Sequence, residues 1–362
     1  MRDIVTLTVN ALNYSGWKSV RIEAGLERVA RSFELAITDH WPGSVEQVRR
    51  VAPGDLVEIR IGNDLICTGY VDATPIDYDA NGITIMIRGR SKTADLVDSS
   101  TEISTGQFKN LTPEAIATQI AKPYGLTVVT EVATGNAITD FQIQQGESAF
   151  ESLDRIAKQR QILITDNATG DVVLSSPGSS GTTHDALVLG QNILSASAGF
   201  DFTDVYSAYT VKGQKSGTDD AFANLASQSV GTAIDSKVTR KRVLIVRQSG
   251  QADSKTCQDR ANYEQQVRRA KAGEIRYRVA NWRQSNGDLW AVNTTINIED
   301  EIMACKTALL ISEITYTLDE SGMITELVTI PASAFATEPE TKAKAKKRKN
   351  STQGIDITSW LD

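Results

Sequence analysis

A pattern of three short β-strands occurs twice in this sequence, about 240 residues apart. The first copy covers residues 57–87 and the second covers residues 296–330. In each copy apolar and polar residues alternate, which is typical of strands that bury one face. The pattern therefore predicts a chain that builds the same small sheet twice.

The spacing of matching positions supports this repeat. Gly82 lies 11 residues after Val71, and Gly322 lies 11 residues after Ile311. One inserted residue near the start of the second copy brings both copies into register. In both copies the third strand follows a turn that ends in glycine, as hairpin turns often do. A chain with two like units can place both around one axis.

Composition excludes several classes of protein. The 362 residues are enough for two to four domains, and 40% of them are hydrophobic, which is ordinary for a folded protein. No apolar run reaches the length of a membrane span, and the alternating start, MRDIVTLTVN, predicts a strand and no signal peptide. A net charge of −7 argues against wrapping nucleic acid over a wide surface. Three scattered cysteines suggest reduced thiols.

The patterning predicts four segments. Residues 1–99 show short alternating strands typical of a β-barrel, and residues 179–336 return to this pattern around a charged helix at about 254–271. Residues 100–178 form an inserted α+β module, and residues 337–362 form a basic tail. We therefore expect a mainly β fold with an α+β insert, made of two antiparallel β-barrels and a small α+β module.

Helix signals define the module. Thr112-Pro113 predicts a helix start, because threonine caps the first turn and proline needs no hydrogen bond there. Ser148 and Glu151 form a capping box before a second helix. The strings QILITD (161–166) and DVVLSS (171–176) then predict a hairpin around 167–170.

The charged helix and the tail are the predicted contact surfaces for partners. The helix is rich in charge and has a narrow apolar face, which is typical of a helix that packs against a partner or bridges domains. The tail holds six basic residues within residues 342–349, where docking on protein, solvation and nucleic-acid contact all remain open. The candidate interface residues are Arg260, Glu264, Arg268, Arg269, Lys346, Lys347 and Trp360.

No reactive constellation stands out. The two histidines, His40 and His184, lie in loops without a supporting motif. The string at 166–171 resembles a calcium loop but lacks the final glutamate, so a hairpin turn is favoured. The acidic run 299–301 is interpreted as a solvated loop, and Trp282 and Trp290 as packing across a hairpin. The sequence therefore predicts a non-enzyme with no catalytic, cofactor-binding or metal-ligating residues.

Several segments, in their order along the chain, resemble the baseplate hub proteins of Mu-like contractile-tailed phages. They are PGDLVEIRIG from Pro53, GESAFESLDRIAKQRQIL from Gly146, RKRVLIV from Arg240 and VANWRQSNGDLWAVNTTINI from Val279. The resemblance spans nearly the whole chain. This sequence departs from the pattern at Gln161, where a small residue is expected, and at Asn281, where glycine is expected.

The resemblance implies a structural protein of the virion, assembled in the host cytoplasm and located in the tail baseplate. The hub family of Mu-like phages is itself similar to the T-even phage hub and to the hub region of type VI secretion spikes. That family implies a homotrimer whose two tail-tube-like barrels per chain offer six units to the tail tube, while the far side seats the threefold spike. Further implied partners are the wedge proteins and the tape measure protein, with DNA passing through the lumen without specific binding.

Two other classes of protein stay open from the residues alone. One is a phage-borne cell-wall or glycan hydrolase with β-barrel binding domains, which would need a pair of carboxylates in a cleft. The other is a nucleic-acid-binding β-barrel that uses the basic tail.

Overall fold

A computed structural model describes residues 3–39, 51–79, 83–102, 106–160, 162–214 and 228–336 of the chain. The N-terminal segment is all β up to Ser91, because alternating sequences such as LVEIRI bury every second side chain, and the short helix α1 (Ala94–Asp98) lies at its end. Its strands are β1 (Val5–Val9), β2 (Leu12–Tyr14), β3 (Ser19–Gly25), β4 (Ser32–Asp39), β5 (Leu56–Ile61), β6 (Asp64–Ala73), β7 (Ile76–Tyr78) and β8 (Ile83–Ser91).

The middle segment alternates helices and short strands. Its elements are α1 (Ala94–Asp98), β9 (Gln107–Leu111), α2 (Pro113–Ala121), a 3-10 turn (Lys122–Tyr124), β10 (Val128–Thr130), β11 (Ile138–Gln142), α3 (Ala149–Arg160), β12 (Leu163–Asp166) and β13 (Val172–Ser175). Both predicted caps are confirmed. The Ala115 N–H donates to Thr112 Oγ1 at 3.3 Å, and the Ser148 N–H donates to Glu151 Oε2 at 2.7 Å. The helices pack on a separate apolar core.

The C-terminal segment is β-rich with one long helix. Its elements are β14 (Leu187–Val188), β15 (Ile193–Ala198), β16 (Ala208–Gln214), β17 (Gln228–Ile234), β18 (Val243–Gln251), α4 (Ser254–Lys271), β19 (Ile275–Ala280), β20 (Thr295–Asp300), β21 (Cys305–Asp319), β22 (Gly322–Ile330) and a 3-10 turn (Ala332–Phe335). The predicted charged helix is present as α4, which Asp253 caps by accepting the Thr256 N–H at 2.8 Å.

Strands from both ends of the chain form one 14-stranded sheet. Its main path is β15-β19-β22-β21-β3-β4-β8-β6-β5-β1-β2, and β7, β14 and β20 pair beside this path. One apolar core lies under strands of both segments, with Leu7 and Tyr277 fully buried in it. This order does not close on itself within the described residues. The mainly β fold with an α+β insert is therefore confirmed, and the two closed barrels stay a prediction.

An ion pair joins the middle segment to the large sheet. Arg31 follows β3, and its Nε donates to Asp166 Oδ1 at 3.1 Å, while its backbone N–H donates to Oδ2 at 3.1 Å. Asp166 is buried at the end of β12. The next residues form the predicted hairpin, because the Asn167 side chain accepts the N–H groups of Thr169 and Asp171. The calcium-loop interpretation has no support in this geometry.

A smaller sheet, in the order β17-β16-β18, packs against α4. The helix comes very close to the sheet at Gly231, where an added Cβ would lie 2.2 Å from the Cys257 carbonyl carbon. The buried face of α4 carries mostly small residues, including Cys257 and Ala261. The narrow apolar face predicted for this helix is therefore covered by the protein's own sheet.

Candidate functional site at the sheet edges

The repeat in the sequence is a repeat in the structure, and it is larger than the sequence suggests. One unit has the strand order β3-β4-β8-β6-β5, and the other has the order β15-β19-β22-β21-β20. All neighbouring strands in both units pair antiparallel. The two units therefore share one topology over five strands, two more than the sequence pattern predicted.

An irregularity in pairing falls at the same position of both units. The register between β6 and β8 shifts between Val71 and Ala73, and the register between β21 and β22 shifts between Ile311 and Glu313. These positions match when the two copies are aligned with an offset of 240 residues. Because a bulge re-aims the strand that carries it, we expect both units to bend at this position.

One difference between the units lies in the strand that carries this shift. In the second unit β21 is a continuous strand of 15 residues. In the first unit the equivalent stretch is broken at Thr74-Pro75 into β6 and β7. Both parts still pair with β8. The Met86 N–H of β8 donates to the Pro75 carbonyl at 2.9 Å, and β7 continues the pairing from there.

The two units join directly through strand pairing. The end of β21 pairs antiparallel with β3, from Glu313 opposite Gly25 to Leu318 opposite Val20. The Leu26 N–H continues this ladder to the Ser312 carbonyl at 2.8 Å. The junction thus covers one edge of β21 in the second unit and one edge of β3 in the first.

Charged side chains support the junction. Glu23 on β3 accepts hydrogen bonds from Arg21 and Arg28, and Arg28 also lies 3.9 Å from the Glu313 carboxylate. Burial alone would raise the pKa of Glu23, but the hydrogen bonds from the two arginines outweigh burial and lower it. The Glu23 carboxylate is therefore ionised at neutral pH and orders the outer face of the junction.

Among the strand edges that are uncovered within the described part of the chain, which include β2 and β14, two carry the argument below. The strand β15 ends the large sheet and pairs only with β19, and β7 pairs only with β8. Apolar side chains beside these edges are exposed: Tyr78 by 82%, Leu194 by 57% and Phe200 by 51%. Exposed apolar residues along open strand edges are typical of surfaces that pair with another chain.

A second apolar surface lies on the small sheet. The face of β17-β16-β18 opposite α4 exposes Val230, Ile234, Val243 and Ile245. The other face is buried against the helix through Tyr209 and Val211. The described residues thus leave one face of this sheet without cover.

The predicted interface residues of α4 have partners within the chain. Glu264 is buried and accepts hydrogen bonds from Arg260 Nη2 at 2.7 Å and from Arg268 Nε at 2.8 Å. Arg269 Nη1 donates to Asp235 Oδ2 at 2.6 Å. Their role in an interface stays a prediction. The other predicted interface residues, Lys346, Lys347 and Trp360, lie outside the described residues.

The candidate reactive groups from the sequence are the two histidines and the acidic run 299–301. His184 lies in a loop, and its backbone N–H donates to the side-chain oxygen of Gln284 at 2.7 Å. His40 lies outside the described residues. The expectation of a solvated acidic loop at 299–301 is wrong for Asp300, which is buried and accepts the Ile302 N–H at 2.9 Å. In the described ranges no three His, Cys, Asp or Glu side chains group as metal ligands.

The two tryptophans pack as predicted. Trp282 and Trp290 are both buried, and the Trp290 N–H donates to the Trp282 carbonyl at 3.2 Å across the turn. The indole N–H of Trp282 donates to the Thr317 carbonyl at 3.0 Å. These side chains belong to the core and offer no stacking surface for a ligand.

Comparisons with known proteins agree with this architecture. Residues 4–91 match the N-terminal domain of the Mu phage baseplate assembly protein GpP-like family, residues 93–176 match the second domain of the gp44-like baseplate hub family, and residues 253–338 match the fourth domain of GpP. The chain is 36% identical to the baseplate hub protein gp44 of Escherichia phage Mu, over 98% of this chain and 95% of that relative.

Solved structures give the same fold. The 43 kDa tail protein of prophage MuSo2 from Shewanella oneidensis superposes with a TM-score of 0.83 at 30% identity, covering 92% of this chain and all of that one. An Escherichia coli type VI secretion component, described as structurally similar to T4 tail proteins gp27 and gp5, superposes with a TM-score of 0.54 at 12% identity. That match covers 92% of this chain and 79% of the other, and it shows the fold alone.

The fold and the repeated unit define a structural protein of phage tails. The chain belongs to the baseplate hub family of Mu-like phages. It is therefore a component of the virion, located in the tail baseplate, and it is not an enzyme. In the part of the chain that the structure describes, no helix has the length and apolarity needed to cross a membrane.

Proposed function

We propose that three copies of this chain form a ring at the centre of the baseplate, which connects a sixfold tail tube to a threefold central spike. The observation that carries the proposal is the five-strand topology that occurs twice in each chain. Three subunits with two like units each place six units around one axis. A cyclic assembly of this kind joins unlike surfaces head to tail, and it ends when the ring closes.

Each layer of the ring then has its own symmetry. The six repeated units face the tail tube, as two tube-like barrels per chain that close only in the assembly. The parts that occur once in each chain, which are the α+β module and the small sheet with α4, repeat three times around the ring. They face the spike and the wedge proteins. On this proposal the segments 1–99, 100–178, 179–336 and 337–362 are units with separate tasks.

Partner contacts of the ring follow from its surfaces. We assign contacts with neighbouring baseplate proteins to α4, through Arg260, Glu264, Arg268 and Arg269, and to the tail residues Lys346, Lys347 and Trp360. The tail tube, the spike, the wedges and the tape measure protein are the proposed partners. The net charge of −7 is compatible with a lumen that lets DNA pass without binding it.

The mass of the full chain in solution tests the proposal. Light scattering coupled to size-exclusion chromatography, over a range of concentrations, should give three times the chain mass of 39.3 kDa. A monomer at every concentration, or a dimer, would contradict the ring.

A further inference from the structure

We infer that β7 of one subunit pairs antiparallel with β15 of the next subunit, with Asp77 opposite Ser197 of the partner subunit. This contact rests on the ring proposed above and specifies how its copies join. It is an extension of the 14-stranded sheet from one chain into the next. The occupant of both open edges is therefore a second copy of this chain.

The junction inside the chain supplies the template. In the second unit, the end of β21 is covered by β3, the first strand of the other unit. In the first unit the equivalent of that end is β7, because residues 76–78 match residues 316–318 at the 240-residue offset. The strand equivalent to β3 is β15, the first strand of the second unit. On β21 one edge of that end is covered by β3. Within the described residues, the matching edge of β7 is open.

The register of the new pair follows from matching pairs in the two units. In the first unit, Leu35 of β4 lies opposite Ile87 of β8 on one side and Val20 of β3 on the other. In the second unit, Tyr277 of β19 lies in the same way between Leu327 of β22 and Ala196 of β15. Ala196 therefore matches Val20, and Ser197 matches Arg21. In the chain, Leu318 lies opposite Val20 and Thr317 opposite Arg21. The equivalent contacts place Tyr78 opposite Ala196 of the partner subunit and Asp77 opposite Ser197 of the partner subunit.

The backbone hydrogen-bonding groups of β7 point in the required direction. The Met86 N–H donates to the Pro75 carbonyl, so the polar groups of Pro75 and Asp77 face β8 and those of Ile76 and Tyr78 face outward. In β21 the Leu26 N–H donates to the Ser312 carbonyl, so by the same alternation Tyr316 and Leu318 bond to β3. These residues match Ile76 and Tyr78. The missing N–H of Pro75 lies on the β8 side and does not interrupt the outer edge.

The side chains are complementary in size. Tyr316 is buried where β21 meets β3, opposite Ile22. Ile76, which matches Tyr316, is 42% exposed, and Tyr78 is 82% exposed. The positions on β15 that match the large residues Ile22 and Val20 are Ala198 and Ala196. Small residues on β15 leave room for Tyr78, and pairing covers apolar surface that is otherwise exposed.

Both edges belong to one chain, and each subunit carries one of each kind. Pairing β7 with β15 is therefore heterologous, and it would produce either an open filament or a closed ring. Because the contact imitates the β21–β3 junction, the step between subunits resembles the step between units inside the chain. Six such steps, of which three lie within chains, make the ring.

A disulfide across the pair tests the inference. Asp77 and the partner's Ser197 form a non-hydrogen-bonded pair, with Cα atoms about 4.5 Å apart, which a disulfide spans. Both residues are exposed, and the natural Cys67, Cys257 and Cys305 are buried. Mild oxidation of the full-length Asp77→Cys/Ser197→Cys variant should give covalent trimers on non-reducing gels. Each single variant should give only one chain.

Two matched variants serve as controls. Arg21→Cys/Thr317→Cys places the same pair at the junction inside the chain, so it should form a disulfide without any gain in mass. Asp77→Cys/Ala196→Cys shifts the register by one residue, which moves the second thiol to the other face of the sheet, and should not cross-link.

The outcomes separate this inference from the proposed ring. A trimer by light scattering whose Asp77→Cys/Ser197→Cys variant stays uncrosslinked would overturn the strand pairing and leave the ring. Monomers without cross-links would overturn both. A covalent dimer as the final product would contradict the head-to-tail closure.

Discussion

At the scale of single residues, Asn281 shows how a departure from the family pattern fits the fold. Its backbone has φ of 66°, and its N–H donates to the Met323 carbonyl at 3.0 Å, just before the buried Trp282. Glycine was expected here, and asparagine is among the few other residues that adopt this conformation readily. The departure therefore preserves the turn.

Asn281→Val should lower the free energy of unfolding by about 1–3 kcal/mol, because a β-branched residue is strained at positive φ. Asn281→Gly should unfold at nearly the wild-type denaturant concentration. Chemical denaturation of the variants measures the difference, and equal midpoints for the valine and glycine variants would show that the turn is not strained.

Glu264 on α4 makes stability depend on pH. Burial would raise the pKa of this carboxyl, but hydrogen bonds from Arg268 and Arg260 outweigh burial and hold the pKa below its ordinary value of 4.5. A carboxyl with a lowered pKa in the folded state adds stability that is fully present above the unfolded pKa. That stability is lost as the pH falls through the folded pKa.

We therefore expect Glu264→Gln to be less stable than the wild type at neutral pH, because Arg260 and Arg268 lose their carboxylate. The difference should shrink as the pH falls below about 4.5, the ordinary pKa of the group. Thermal unfolding between pH 7 and pH 3 measures it. Glu299→Gln, at an exposed position of β20, serves as the control. A difference that stays constant over this range would contradict the ionised role of Glu264.

At the scale of elements, α4 illustrates what the sequence could and could not predict. Its richness in charge and its scarcity of large apolar residues predicted its position, because composition is a local signal. Its interface role was inferred from the narrow apolar face. The structure gives that face a partner inside the chain, because small residues such as Gly231 let helix and sheet approach closely. No local pattern shows which distant strand will provide such a surface.

Gly231→Ala should weaken this packing. The new methyl group would lie 2.2 Å from the Cys257 backbone carbon, so helix or sheet must move, at a cost of about 1–3 kcal/mol. Val230→Ala, one residue earlier on the exposed face, should change stability little. Thermal unfolding compares the two variants, and equal melting temperatures would mean that the close approach is not rigid.

At the scale of the whole molecule, the repeat was visible in the sequence, but its extent was not. The three strands nearest the turns are close in sequence, so their spacing could be aligned at Gly82 and Gly322. The other strands of the second unit, β15 and β19, are separated by the small sheet and α4. The β21–β3 junction also joins segments about 290 residues apart, and such pairings leave no local pattern.

These long-range pairings carry the functional account. The junction gives the template for the proposed contacts between copies, and the shared topology is what would give the proposed ring its six units. Sequence periodicity identified the unit and the resemblance identified the family. The covered edge of β21 and the open edge of β7 came only from the three-dimensional structure.

A reconstruction of the assembled full-length protein by electron cryomicroscopy, with no symmetry imposed, would show directly how the repeated units are arranged. We expect three chains around a channel, with six five-stranded units related by near-sixfold rotation and the α+β modules related by threefold rotation only. Three chains whose two units lie at different distances from the axis, or face different directions along it, would contradict this arrangement.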